Sequence, residues 1–565
     1  MEEGNFTDLE TIVEADETAT WEAGRRAWSI VLTLAFVSLI VALDATILVT
    51  ALPTISADLN GSGSASFWVG TSYLLASSVL MPFMGSLSDI LGRREILTAA
   101  LLFFTVGSTV AGVAQSMDIL LLGRVLQGVG GAGILPMTQI VLCDIVPLRF
   151  RPKYASVAQL AWAIGSITGP LIGGLMVQHV TWRWIFYLNL PFCGISMVIV
   201  PFIIRLRTKQ SSILAKLARI DWIGGSLFIG SMTSFLMAVT WGGVDHAWDS
   251  AATLAPLLIG IVGTVVSILW EKWGAREPFI RLAIFSNRSA LAGYYCAMTQ
   301  GLVVRILSFT KFGCESLILT SQCFQLFIQL YYVSLYFTSV KAFSPVHTGV
   351  SVIPVSSVLV PTGIIVSLLI SRTGRIRWAL WSGWIFEVLA SGLLILMDGS
   401  ITTWRWVLIL MTVGLGHGLL LQALTFVPQT MAKDTDESYA ATMYNFSRTF
   451  GMAFGVAIGG TMFQNRLKQH LISAGLDATI ASNADQYVAV LNTMTDQSLR
   501  DGILAAYAAS FKNVFELSLA LTVLGALVSL LIRKSVFDRK HVTEHVLEEK
   551  HTSSSKGSSS GDESV

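Results

Sequence analysis

The chain has 565 residues, 53% of them hydrophobic and only 13% charged, with a formal net charge of +1. Soluble domains average about 25% charged residues. A water-soluble globule could not cover this much apolar surface, at a mean hydropathy of +0.66, so a polytopic membrane protein is expected, with no charge-based case for a nucleic-acid partner. In chain order, residues 1–27 are acidic and polar and read as a disordered cytoplasmic segment without a cleavable signal peptide. Apolar runs long enough to cross the hydrocarbon core follow at 28–52, 67–88, 95–116, 118–141, 154–178, 184–204, 222–242 and 251–270. After an interruption come a long run at 290–338 and further runs at 347–371, 378–397, 405–428, 439–463 and 511–532. The outer loop at 464–510 mixes apolar and polar residues and is read as carrying a surface helix. Residues 533–565 turn charged, then Ser/Gly-rich, and read as a disordered cytoplasmic tail.

Counting 290–338 once gives an all-α protein with 14 transmembrane helices. Lysine and arginine set the direction. With the N-terminus inside, the inner segments hold 26 of the 37 basic residues and the outer loops seven, with four more within the runs. Both termini are then cytoplasmic. The five cysteines, Cys143, Cys193, Cys296, Cys314 and Cys323, lie in or beside apolar runs and show neither a disulfide framework nor metal-ligand spacing. Asn60-Gly-Ser is a formal glycosylation acceptor close to the outer bilayer surface.

The 290–338 run is too long for one helix, and Arg305, Lys311 and Glu315 interrupt it. Removing 304–325 joins LAGYYCAMTQGLV to LFIQLYYVSLYF and leaves one span of ordinary length. Val304-Arg305 and Phe324-Gln325 admit codons resembling a splice donor and acceptor, so a retained intron is one reading. A genuine inserted loop or re-entrant segment is the other, and sequencing the transcript decides between them.

The first inner turn reads Gly85-Ser-Leu-Ser-Asp89-Ile-Leu-Gly92-Arg93-Arg94. A generic basic turn explains the arginines but not the ordered glycines and acid. The glycines allow tight helix approach, and Asp89 can pair with a basic group or accept from a helix N-terminus. This pattern resembles the signature loop of the major facilitator superfamily. Further along, Leu43-Asp44-Ala-Thr46 to Pro53 is similar to the first-helix motif of that superfamily's fourteen-span drug:proton antiporters, fungal-type multidrug and toxin efflux transporters. Gly123-Arg124-Val-Leu-Gln127-Gly128 resembles the fourth-helix motif, and Gly165-Ser-Ile-Thr-Gly169-Pro170-Leu-Ile-Gly173-Gly174 the fifth-helix antiporter motif. Trp182-Arg183-Trp184 through Asn189 to Pro191 is similar to the turn into helix six. The second half matches more loosely, through Gly414 to Gly418 and Arg448 to Gly451.

The resemblance implies a major facilitator fold: a six-helix bundle over 28–204, a basic inner loop, two extra helices and a connector over 205–289, and a second six-helix bundle over 290–532. It also places helices 1 and 4 side by side. Asp44 lies about eight residues from the outer end of its run, roughly 12 Å deep, and Arg124 roughly 9 Å deep, so the two charges sit at similar depth. An intramembrane charge calls for a cavity or a partner. Asp44 is therefore the candidate proton carrier and Arg124 its modulator, since a neighbouring guanidinium favours the ionised carboxylate and apolar surroundings the protonated one. A static ion pair orienting two helices is the alternative. Gln127, Glu387, His417, Gln422 and Arg448 are candidate cavity residues. Glu387 is read as a second acidic site for a cationic substrate or a helix–helix bond, and His417 and Gln422 as hydrogen-bonded between helices. Gly165, Gly169 and Gly173 recur every four residues as a stripe for close packing, and Pro170 can bend the helix; the resemblance links this motif to closing the cavity on the inside. Tryptophans 182, 184, 241, 248, 378, 404 and 406 stand at span ends as interface anchors.

The function expected is proton-coupled efflux of small amphipathic molecules by a monomer in the lipid bilayer. The plasma membrane is the default, with a vacuolar or vesicular membrane as the alternative. The energy source is the proton gradient, with no cofactor and no metal. An importer or siderophore exchanger on the same fold is the first alternative. A non-transporting sensor would call for a larger cytoplasmic domain, and a membrane enzyme for a catalytic or metal cluster at one face.

Overall fold

The computed structural model describes residues 23–48, 51–61, 63–206, 212–242, 246–275, 277–285, 289, 322–532 and 537. Among these the protein is helical. The first half contains α1 (Arg25–Ile47), α2 (Leu52–Asp58), α3 (Gly63–Leu91), α4 (Arg93–Gly112), α5 (Met117–Ile145), α6 (Arg151–His179), α7 (Trp184–Tyr187) and α8 (Asn189–Ile203). A short α9 (Ile213–Arg219) leads to the central pair α10 (Trp222–Trp241) and α11 (Ala251–Trp273). The second half contains α12 (Gln322–Ser339), α13 (Pro345–Thr373), α14 (Arg377–Leu394), α15 (Thr403–Met431), α16 (Glu437–Ser473), α17 (Ala484–Thr493) and α18 (Gln497–Ser529). Among the described residues eleven spans, α7 and α8 together making one, are long and apolar enough to cross a membrane. The other three helices that the sequence reading counts as spans, α12, α14 and α16, pack among them. Most of the 304–325 segment lies outside the described residues; Gln322 to Gln325 form the first turn of α12.

Two bundles emerge from which helices touch. In the first half α1 packs on α6 and α8, α5 on α3 and α4, and α4 on α8. In the second, α12 packs on α16 and α18, α15 on α13 and α14, and α14 on α18. The pairing is the same helix for helix. The bundles meet through α6 against α13 and α3 against α16, while α10 and α11 pack together and α10 reaches α3 and α16.

Three features differ from the sequence reading, each for a local reason. The first span ends at Ile47 rather than residue 52, and a separate helix starts at Leu52 with a proline in its first turn. Asp44 is therefore less than one turn from the end of α1, yet fully buried. The expected long outer loop is largely helix. Leu467 and Leu471 continue the buried stripe of α16, and Ile503, Tyr507 and Ser510 begin that of α18. These turns are amphipathic, so their average hydropathy hides them. The helix α17 lies between them. Finally, Trp182 and Trp406 are not surface anchors: Trp182 donates to Asp58 at 2.8 Å, and Trp406 packs on Phe337. Trp184, Trp248, Trp378 and Trp404 are exposed.

Glycine sets how closely α4 and α5 approach. A methyl group added at Gly130 would lie 2.6 Å from the Ala100 carbonyl oxygen and 2.7 Å from the Phe104 nitrogen, both backbone. The helices must part to admit it, at an expected cost of about 1–3 kcal/mol. Gly130→Ala should lower the melting temperature of the detergent-solubilised protein measured by size-exclusion retention. An unchanged melting curve would mean that this contact is looser than described.

Candidate functional site

Five helices converge on Asp44. Arg124 and Gln127 stand three residues apart on one face of α5, which lets both side chains reach the same acid. Arg124 Nη1 donates to Asp44 Oδ2 at 2.6 Å and to Gln127 Oε1 at 2.7 Å. Gln127 Nε2 donates to Asp44 Oδ1 at 2.9 Å and to Ser108 Oγ of α4 at 2.8 Å. Asn189, the first residue of α8, donates from Nδ2 to Asp44 Oδ1 at 2.9 Å. Arg124 Nε caps the network by donating to the Val69 carbonyl of α3 at 3.0 Å. Its guanidinium lies 4.6 Å from the centroid of the Tyr73 ring. Asp44 and Arg124 are 0% and 2% exposed as side chains, so the pair is cut off from water. A buried pair of this kind is tolerated because every charged oxygen has donors aimed at it.

A cavity lies beside this network. Its wall includes Ala45 of α1, next in sequence to Asp44, together with Tyr73, Leu74 and Ser77 of α3. Leu135 of α5 and Trp162 of α6 complete one side, and Asn445, Arg448, Thr449 and Met452 of α16 form the other. The cavity is thus shared between the two bundles, and Tyr73 spans from its wall to the Arg124 guanidinium.

The signature turn lies at the end of the bundles marked by the basic loops. Only Gly92 separates α3 from α4, at φ 123°, a backbone conformation that favours glycine. Arg93 pairs with Asp89 one turn back, donates from Nε to Asp144 Oδ2 of α5 at 3.0 Å, and donates from Nη1 to Ser88 Oγ at 2.7 Å. Arg94 is exposed. Gly85 faces Thr442 of α16, where an added Cβ would lie 2.9 Å from Thr442 Oγ1. Nearby, Arg151 ties the two halves: it pairs with Glu437 Oε2 of α16 at 2.6 Å and donates to Gln429 Oε1 of α15 at 3.4 Å. Arg281 of the connector pairs with Asp436 at 2.7 Å and stacks on Tyr439. The bundles are therefore latched by ion pairs at the end marked by the basic loops. Glu437→Gln weakens the latch, and buried Cys143, whose Sγ donates to Gln429 Oε1 at 3.5 Å, reports on it. Maleimide labelling of Cys143 should accelerate about tenfold in that variant, the equivalent of one lost charge-assisted bond. An unchanged rate, against a Cys143→Ser background, would mean that this pair does not hold that end closed.

A family model described as Major Facilitator Superfamily matches residues 34–456. The chain belongs to that superfamily. It is therefore a multi-pass membrane transporter by family. It is 36% identical to "MFS transporter L2" of a Phoma species, covering 94% of this chain and 86% of the relative. Identity to "MFS-type efflux pump LUC4" of a Fusarium species is 33%, over 97% and 95%. It is also 33% identical, over 92% of both chains, to the "Acurin A biosynthesis cluster MFS-type transporter" of Aspergillus aculeatus.

Within this superfamily fold the second bundle holds its own buried polar cluster. Gln329 Nε2 of α12 donates to Glu387 Oε1 of α14 at 3.2 Å and to Ser391 Oγ at 3.1 Å. His417 Nε2 of α15 lies 3.1 Å from Gln329 Oε1 and 3.3 Å from Glu387 Oε1. Gly416 makes room for Glu387, since a Cβ there would lie 2.6 Å from Oε2. These are the helix–helix bonds read from the sequence as one alternative for Glu387 and as the reading for His417. Of the five candidates only Arg448 lines the cavity. Gln127 belongs to the Asp44 network, Glu387 and His417 bond between helices, and Gln422 is buried with no hydrogen-bond partner for Oε1.

The glycine stripe of α6 also lies elsewhere than expected. Gly165 and Gly169 face Ala42 and Thr46 of α1, whose Thr46 Oγ1 donates to the Gly165 carbonyl at 3.3 Å. Gly174 instead meets Val346 of α13, and Gly349 of α13 meets Pro170. Gly173 is buried. Residue 169 is 18 positions into α6, roughly 27 Å from its first residue, so these contacts sit toward the His179 end of the helix. Sequence reasoning missed Ser108, Asn189 and Tyr73. Asn189 carried a signal, because it stands in the Trp182 to Pro191 motif. Nothing in the sequence marks Ser108 apart from other serines.

Proposed function

We propose that this chain exports small amphipathic molecules, fungal secondary metabolites foremost, in exchange for protons, by alternating access. The reading rests on one observation: a fully buried carboxylate, Asp44, tied to Arg124 and adjacent in sequence to the wall of the shared cavity. Charges at such depth belong to ion or proton paths more often than to scaffolding. A proton taken up by Asp44 cancels the carboxylate charge. Arg124 then keeps only neutral acceptors, Gln127 Oε1 and the Val69 carbonyl. The ionic tie between α1 and α5 is lost, and Tyr73, stacked on Arg124, is free to move. A substrate in the cavity presses on the same Tyr73, so binding and protonation bias one element. Each must then alter the affinity for the other by the same factor.

The efflux name of one relative and the biosynthesis-cluster name of another support export and this substrate class. The chain acts as a monomer at the plasma membrane, with the proton gradient as its only energy source. Proteoliposomes carrying the purified chain and a panel of amphipathic compounds test the reading. Imposing a pH gradient should drive accumulation of some compounds, and a protonophore should abolish it. If no compound responds to imposing or collapsing the gradient, the reading fails.

A further inference from the structure

We infer that the substrate is an organic anion with an aromatic or otherwise apolar body, received by Arg448; this rests on the reading of the chain as a proton-driven exporter. Among the described residues of the cavity wall Arg448 is the only charged one, and no carboxylate stands with it there. Its guanidinium lies 5.4 Å from the centroid of the Trp162 ring, on the opposite bundle. Its Nε is buried and has no hydrogen-bond partner, and no ion pair is formed by Arg448 among the described residues.

The contrast with the other buried arginines is chemical. Arg93, Arg124 and Arg151 each face a carboxylate within the protein. Arginine stays charged at any physiological pH, so a partly buried guanidinium without a counter-ion carries a desolvation cost that it cannot shed by losing a proton. Stacking on an aromatic face offsets only part of that cost. A planar fork of donors in a cavity matches a carboxylate, sulfonate or enolate bidentately. The rest of the wall suits the remainder of such a molecule: Leu74, Leu135 and Met452 are apolar, and Trp162 and Tyr73 offer ring faces. A cationic substrate would meet repulsion from Arg448 with no acid in the wall to offset it, because Asp44 is already bound to Arg124 and Glu387 is buried in its own cluster. The two bundles contribute Trp162 and Arg448 separately, so an anion held between them also bridges the halves that must rock.

Transport of three probes that share one ring body and keep fixed charges tests this: pyrenesulfonate, neutral pyrenemethanol and trimethyl(pyrenylmethyl)ammonium. Each is measured in proteoliposomes of the full chain under a pH gradient, less the rate in protein-free liposomes. Pyrenesulfonate should move at least about tenfold faster than the cation and clearly faster than the alcohol, the factor one charge-assisted pair supplies. Arg448→Met should remove that preference, and Arg448→Lys should keep part of it. Equal or faster movement of the alcohol or the cation overturns the inference and leaves the exporter reading standing. No movement of any probe overturns both. Unchanged pyrenesulfonate transport in Arg448→Met also overturns it, and should that variant not fold, the wild-type ratio of anion to cation decides.

Discussion

Asp44→Asn should abolish gradient-driven accumulation, reducing it to the level of protein-free vesicles, while leaving the chain folded. Asparagine has almost the shape of aspartate, but it cannot exchange a proton or carry a charge. Three donors converge on Asp44: Arg124 Nη1, Gln127 Nε2 and Asn189 Nδ2. An asparagine has one acceptor oxygen where the carboxylate has two, so one of these donors loses its partner. Arg124 also keeps its charge with no counter-ion, so the stability loss is about 3–5 kcal/mol, the cost of removing one partner of a buried pair. Downhill exchange of substrate should survive, because the cavity wall is untouched. Accumulation in the variant equal to that of the native chain would reduce Asp44 and Arg124 to a static tie between two helices.

Arg124→Gln should damage the folded chain to a similar extent. It leaves Asp44 buried at 0% exposure with neutral donors only. Removing one partner of a buried pair costs about 3–5 kcal/mol. Like Asp44→Asn, the single variant should show a clearly lower melting temperature in detergent. Adding Asp44→Asn to it replaces the ion pair by a neutral polar pair, which removes the uncompensated charge. The double variant should recover most of the lost stability and still fail to transport against a gradient. Thermal melting of the four forms, native, two single and one double, measures the coupling directly. A double variant as unstable as Arg124→Gln alone would mean that the ion pair is not what holds α1 to α5.

The fold was legible because a span must be about 20 apolar residues long, and such runs stand out against charged loops. The pairing of Asp44 with Arg124 was legible for the same reason: two charges inside apolar runs at similar depth need each other. The direction in which side chains point was not. Helices that are apolar all round carry no amphipathic period, so the sequence offers no angle about the helix axis. That is why the sequence left open whether Gln127 and Glu387 face the cavity or a neighbouring helix, and the structure places both among helix–helix hydrogen bonds. Uncharged partners escaped notice because Ser108 and Gln329 are inconspicuous in a span until their neighbours are known. Helix ends failed where the pattern changed from apolar to amphipathic, as at Leu467 and Leu471 in α16. Glycine spacing identified a packing surface on α6 but not its partners, which prove to be α1 for Gly165 and Gly169 and α13 for Gly174.

Simultaneous recording of internal pH and internal substrate in proteoliposomes puts proton exchange at Asp44 to the most direct test. With no pH gradient at the start, an imposed substrate gradient should drive protons in the opposite direction in the native chain, and no such proton flow should occur in Asp44→Asn. Substrate movement in the native chain with internal pH unchanged would contradict the account.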